Sequence, residues 1–176
     1  SDLAGVGVAF RLAYALIQEN RRDPLPTTQA ELAAEDLLDL VALGTVSDMV
    51  SLQGENHTLV TRGLRSLNQG HRPGLGALLS TAGVDLGKVT TKTIGFVISP
   101  RLNAAGRIDE ATTALELLLA PDMASALPLA HKLDELNHRR RQITSDVRER
   151  VREMVLCKPE TPPLIFAASA DFPSGV

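Results

Sequence analysis

The sequence predicts a mainly α-helical chain, and three observations carry that prediction. Apolar residues recur at helical spacing through residues 3–156. Gly and Pro interrupt them at intervals that suit helices, as at Pro24, Gly70, Pro73, Gly83 and Pro121. After Pro128 neither residue recurs until Pro159. The composition, 44% apolar and 22% charged over 176 residues, is that of a globular chain. It excludes wholesale disorder, a collagen-like repeat and a disulfide scaffold. One compact body of this length would have a radius of gyration of about 16 Å.

In chain order, residues 3–18 read as a helix, buried from Ala9 to Ile17, with Gly5 and Gly7 letting its start approach another backbone. Arg21 to Pro26 is a linker. Thr28 and Glu31 have capping-box spacing for a second helix, with Leu32, Leu37, Leu40 and Val41 inside and Gly44 as its stop. Asn56 is placed to cap a third helix, which carries Leu59, Val60, Leu64 and Leu67 and ends at Gly70. Pro73 suits the first position of a fourth, with Leu75, Leu78 and Leu79 before Gly83. Thr90 to Ile98 is apolar and β-branched, so helix and strand both remain open there. Asp109 can cap a helix through Leu115, Leu118 and Leu119 that stops at Pro121.

Pro128 should begin or kink a long helix running to Leu156. About 28 helical residues would span roughly 42 Å. Its apolar positions thin to Ile143, Val147, Val151 and Val155, a stripe narrow enough for a helix that crosses between two bodies. Lys158 to Pro163 is a second linker, and Leu164 to Ala168 reads as a buried strand opening a further domain. The absence of an initial Met and the final Ser174-Gly175-Val176 suggest an internal fragment of a larger protein.

No run of 18 apolar residues would cross a membrane, and no secretory signal opens the sequence. Cys157 is alone, so no internal disulfide forms and a reducing cytoplasm is the expected setting. Aromatics are 3% with no Trp, which leaves little for a base-stacking platform. The net charge of −3 hides an asymmetry. Glu31, Glu35, Asp36, Asp39 and Asp48 lie in a stretch without Lys or Arg. Arg139, Arg140, Arg141, Arg148, Arg150 and Arg152 crowd the long helix. That basic run is either a solvated face or a groove that neutralises phosphates.

Phosphate-binding loops, nucleophile elbows, zinc-protease helices and Cys-x-x-Cys pairs are absent. His57, His71, His131 and His138 have no metal-ligand spacing. Two polar stretches remain. In Gly44-Thr-Val-Ser-Asp48, a carboxylate past a helix end is either a cap or turn residue or one ligand of a hard cation. In Ser99-Pro-Arg-Leu-Asn-Ala-Ala-Gly-Arg-Ile-Asp109, Arg101 and Arg107 flank Asn103 and a small-residue turn that a ligand could approach. Arg presents a planar fork that fits phosphate oxygens. The alternative there is a structural loop paired with the acidic stretch.

Together these stretches resemble the RecJ family of single-strand-specific exonucleases, within the DHH phosphoesterase group. The resemblance rests on Leu3-Ala-Gly-Val-Gly-Val-Ala-Phe10, Ala42-Leu-Gly-Thr-Val-Ser-Asp-Met-Val50, Pro100-Arg-Leu-Asn-Ala-Ala-Gly-Arg-Ile108 and Leu133-Asp-Glu-Leu-Asn-His-Arg-Arg140. It implies that residues 1–121 are the C-terminal helical part of an α/β DHH domain. Residues 122–157 would be the connecting helix, and residues 158–176 the start of a truncated DHH-associated domain with its first strand.

It further implies a 5′-to-3′ single-stranded-DNA exonuclease of DNA repair and recombination. Two divalent cations, Mn2+ or Mg2+, would serve the parent, with Asp48 as one metal ligand. Arg101, Asn103 and Arg107 would lie against substrate phosphates, and Arg139, Arg140 and Arg141 against the DNA backbone. Repair or single-strand-binding proteins are the expected partners. The family's Asp-x-Asp, second Asp and Asp-His-His motifs are not in this sequence, so the fragment alone is expected to bind no cation and to be inactive. Pro173 stands where the family has His in Gly-Trp-His-x-Gly-Val. The alternatives are a DHH phosphodiesterase acting on short oligonucleotides or cyclic dinucleotides, and an inert DHH-derived scaffold.

Overall fold

A computed structural model describes residues 2–24, 32–108, 111–156 and 167–173, with Ile108 and Leu156 described by backbone alone. Among these, every regular element is helical. The elements are α1 (Gly5–Arg22), a 3-10 turn (Ala34–Leu37), α2 (Leu38–Ser47), α3 (Gly54–Gln69) and α4 (Pro73–Thr81). Then come α5 (Thr91–Thr93), a π turn (Ile94–Ile98), α6 (Ser99–Ile108), α7 (Thr112–Leu119) and α8 (Met123–Leu156).

The main core forms where α4, the π turn, α6 and α7 meet the first half of α8. Leu78, Ile94, Ile98, Leu117 and Leu133 are almost fully buried there. Each such side chain contributes about 1.5–3 kcal/mol of burial. α4 can lie this close to α7 because Gly74 has no side chain, as a Cβ there would run into the Leu117 carbonyl oxygen. A smaller cluster of Leu38, Val41 and Leu59, with Leu3 and Phe10 against it, joins α1 to α2 and α3.

Several expectations change. α1 is not a buried helix: Val8, Leu12 and Leu16 lie one turn apart on an exposed face, and only Gly7 is buried within it. Gly44 does not stop α2, which runs on to Ser47. Val6 packs against Gly44, so the glycine marks a close helix contact rather than an end. Asn56 is inside α3 rather than its cap. It is buried, and its Nδ2 donates to the Asp2 carbonyl at 2.8 Å and the Ser51 carbonyl at 2.9 Å. Of the two states left open for residues 90–98, the structure takes the helical one, and Thr90 caps it by accepting from the Thr93 N–H. The polar stretch after Ser99 is α6, not a turn.

α8 begins five residues before Pro128 and takes that proline into its interior. Its 34 residues span about 51 Å. Asp122 caps it, accepting from the Ser125 N–H at 2.8 Å. Gly70, with φ of 74°, closes α3, and Pro73 opens α4, both as the sequence predicts. The Thr28–Glu31 pair, Asp109, Cys157, the Lys158–Pro163 linker and Leu164–Phe166 lie outside the described residues. Ala167 and Ala168 have no regular structure.

Candidate nucleic-acid interface

α2 ends in a tight turn. The Asp48 N–H donates to the Gly44 carbonyl at 3.0 Å and the Met49 N–H to the Val46 carbonyl at 3.2 Å. Met49 then takes a left-handed φ of 56° and stands 91% exposed. A side chain rarely adopts that conformation without a structural demand. Asp48 is exposed, and its main chain rather than its carboxylate closes the helix.

On either side of Asp48, Ser47 and Met49 line a cleft of about 530 Å3. Lys92, Gly95 and Phe96 form its second wall, Ser99, Asn103 and Arg107 its third, and Arg140 of α8 closes it. Three cationic side chains and no carboxylate face this space among the described residues. Such a site favours anions and steers them in. Phe96 is 75% exposed at its edge.

Helix geometry decides which predicted residues meet. Ser99, Asn103 and Arg107 recur every fourth residue, so they share one face of α6. Arg101 is two residues from either neighbour and points to the other side. Its Nε donates to Asp134 Oδ1 at 2.8 Å and its Nη1 to the Val97 carbonyl at 2.8 Å. Arg101 and Asp134 are mostly buried, at 11% and 21% side-chain exposure. The four residues of the predicted phosphate turn and helix end therefore divide: Asn103 and Arg107 line the cleft, Asp48 flanks it, and Arg101 stands behind the wall.

The same rule divides the arginine run. Arg139, Arg140 and Arg141 are consecutive, so each points about 100° from the next. Arg140 enters the cleft wall while Arg139 and Arg141 are exposed. Arg140 Nη2 donates to Asn137 Oδ1 at 3.3 Å. Its Nε, and the Nδ2 of fully buried Asn137, have no hydrogen-bond partner among the described residues. This wall thus carries donors that no described acceptor matches, a costly state in a protein interior.

Sequence reasoning missed Lys92, Phe96 and Asp134. No local motif marks the first two, because the π turn, which contains Phe96 and separates Lys92 from α6, sets their placement. Asp134 was legible only in part: Asp134 and Asn137 are three residues apart and neighbours on one helix side, but nothing local ties them to Arg101.

The described residues do not by themselves suit a metal. Asp48 offers oxygen of the kind that holds Mn2+ or Mg2+. Yet no group of three or more His, Cys, Asp or Glu among the described residues could hold an ion.

No family model matches the chain. A single-stranded-DNA-specific exonuclease RecJ of Bacillus subtilis is 40% identical over 175 residues, which is 99% of this chain and 21% of that protein. The RecJ of Escherichia coli is 41% identical over 161 residues, 89% of this chain and 27% of that protein. The crystal structure of Thermus thermophilus RecJ in complex with Mn2+ matches with a TM-score of 0.69 at 36% identity, covering 89% of this chain and 22% of that one. The chain belongs to the RecJ family. It spans about a fifth to a quarter of the length of these RecJ relatives. A crystal structure of exonuclease RecJ bound to manganese matches with a TM-score of 0.71 at 32% identity, covering 92% of this chain and 41% of that one. These RecJ crystal structures are of complexes with Mg2+ or Mn2+.

Proposed function

We propose that this chain is part of a divalent-cation-dependent exonuclease that degrades single-stranded DNA from the 5′ end in DNA repair and recombination. The observation that carries this reading is the cationic cleft beside Asp48. Lys92, Arg107 and Arg140 gather there with the amide of Asn103 and the hydroxyls of Ser47 and Ser99. That set suits a phosphodiester backbone: point charge from Lys, forked donors from Arg, and neutral groups that fix orientation. Asp48 supplies one carboxylate, beside the place where the backbone would pass, to a cation pair completed by residues of the longer protein. Those cations would activate water and stabilise the leaving oxygen. The residues described here bind and orient the strand.

In this reading residues 1–121 belong to the DHH domain, 122–157 connect, and 158–176 begin the DHH-associated domain. Arg101 serves the substrate face from behind, and Arg139 and Arg141 add long-range attraction. The protein works in the cytoplasm beside repair or single-strand-binding proteins. No described helix is long and apolar enough to cross a membrane.

Two variants of the full-length protein test this on a 5′-labelled oligonucleotide with Mn2+. Asp48→Ala should lower kcat by at least about a hundredfold while leaving DNA binding within twofold, as loss of a metal ligand predicts. Arg140→Ala should weaken binding and flatten the log–log salt dependence by about 0.7, one phosphate contact on a single strand. It should reproduce most of the loss seen when Arg139, Arg140 and Arg141 are all replaced by Ala. The isolated chain should degrade nothing. Wild-type kcat in Asp48→Ala, or digestion by the isolated chain, overturns the proposal.

A further inference from the structure

Behind the cleft wall a chain of polar contacts runs from α8 into the π turn. His138 Nε2, on the exposed side of α8, lies 3.5 Å from Asp134 Oδ2. The other oxygen of Asp134 accepts from Arg101 Nε at 2.8 Å. Arg101 Nη1 then donates to the carbonyl of Val97, inside the π turn. Two anchors on different nitrogens fix the orientation of a guanidinium, and they use two of its five N–H donors. The π turn so held is the segment that presents Gly95 and Phe96 to the cleft. α6, which carries Arg101 on its rear face, presents Asn103 and Arg107 to it.

We infer that Asp134 is a positioning residue for DNA binding: through Arg101 it locks α6 and the π turn to α8, and so sets the cleft wall that receives the strand. The inference deepens the reading of this cleft as a DNA site and rests on it. The pair is well suited to the task. A mostly buried, charge-assisted bond between partners on two different helices is short and directional, where an exposed pair would yield to solvent. The carboxylate comes from the first half of α8, so the wall and Arg140, which closes the cleft six residues further on, are referenced to the same helix. Asp134 itself does not line the cleft, and its effect must pass through Arg101.

A double-mutant cycle in the full-length exonuclease tests this, with KM for single-stranded DNA, kcat at saturation and thermal midpoint read on each variant. Arg101→Ala and Asp134→Ala should each raise KM about tenfold, the loss of one charge-assisted hydrogen bond. kcat should stay within twofold. The double variant should be no worse than Arg101→Ala alone. Asp134→Asn keeps an oxygen facing Arg101 Nε, so KM should rise by only about threefold; this variant also serves if the alanine variant does not fold. Additive effects, or a raised KM in Arg101→Ala with a normal KM in Asp134→Ala and Asp134→Asn, overturn the role of Asp134 and leave the DNA site standing. A fall in kcat and thermal midpoint with KM unchanged in the Asp134 variants overturns it too, since that is the mark of simple destabilisation. A normal KM in Arg101→Ala together with normal binding in Arg140→Ala removes the DNA site and this inference with it.

Discussion

The hydroxyl oxygens of Ser47 and Ser99 lie 2.5 Å apart, joining the residue before Asp48 to the first residue after the π turn. Ser47 Oγ is also 2.6 Å from the Leu43 carbonyl, and Ser99 Oγ is 2.8 Å from the Ile94 carbonyl. Two protons serve three contacts, so each hydroxyl is shared between a carbonyl about one turn back along its own chain segment and its partner across the interface. The cleft wall that carries Ser99 is thereby tied to the end of α2.

Replacing either serine by Ala should cost about 1 kcal/mol of stability, and the pair should be coupled by at least about 0.5 kcal/mol in a double-mutant cycle. Urea denaturation of the four proteins measures it. Strict additivity would mean that the contact between α2 and α6 carries no energy.

Arg72 is the other fastening. Its Nε donates to Asp39 Oδ2 at 2.7 Å and its Nη2 to Oδ1 at 3.2 Å, while Nη1 reaches the Leu118 carbonyl and Nη2 the Asp36 carbonyl. One guanidinium thus holds the 3-10 turn, α2 and α7 to the start of α4. Arg72→Ala leaves the buried Asp39 carboxylate unpaired and should cost about 3–5 kcal/mol. Replacing both partners by Leu and Met should restore part of that loss. A denaturation midpoint unchanged in Arg72→Ala would refute the account.

Two glycines of α4 should respond in opposite directions. Gly74→Ala drives a methyl into the Leu117 carbonyl and should destabilise by about 1–3 kcal/mol or more. Gly76→Ala meets only the Met123 sulfur, at 3.8 Å, and should stabilise the helix by about 0.5–1 kcal/mol. Guanidinium denaturation separates them.

The Asp122 carboxyl is held below its usual value of 3.8, first by the Ser125 N–H and then by the Ser125 hydroxyl. A depressed carboxylate stabilises the fold above its unfolded pKa, and the contribution disappears as pH falls through the folded value. Thermal midpoints of wild type and Asp122→Ala should therefore differ at pH 6 and converge below pH 3.8. A gap of constant size at all pH values would remove the cap from the argument.

Helix existence was legible wherever Gly and Pro mark boundaries, as at Gly70, Pro73 and Pro121, because those residues act through local backbone geometry. It failed where a small residue serves tertiary packing. Gly44 looks like a terminator and is instead the seat of Val6. Asn56 looks like a cap and instead fastens Asp2 and Ser51 from inside α3. The candidate site was legible as residue types and not as faces. Reading Ser99 to Asp109 as a turn grouped Arg101 with Arg107, and only a helix there sends them to different faces, about 120° apart. The π turn has no sequence signal of its own, so the arrival of Lys92 and Phe96 beside Asn103 was invisible.

α8 is unequal along its length. Ala126, Ala130, Leu133 and Asn137 are fully buried, and from His138 onward none of its described side chains is. Among the described residues the helix is held like a cantilever, bolted at one end. Play of about 5° at its root would sweep the tip, about 24 Å beyond Arg140, through about 2 Å. Whatever rides on that tip is aimed by four small or medium side chains near the mounting, so a cavity opened at Leu133 would blur alignment far from where the atoms were lost.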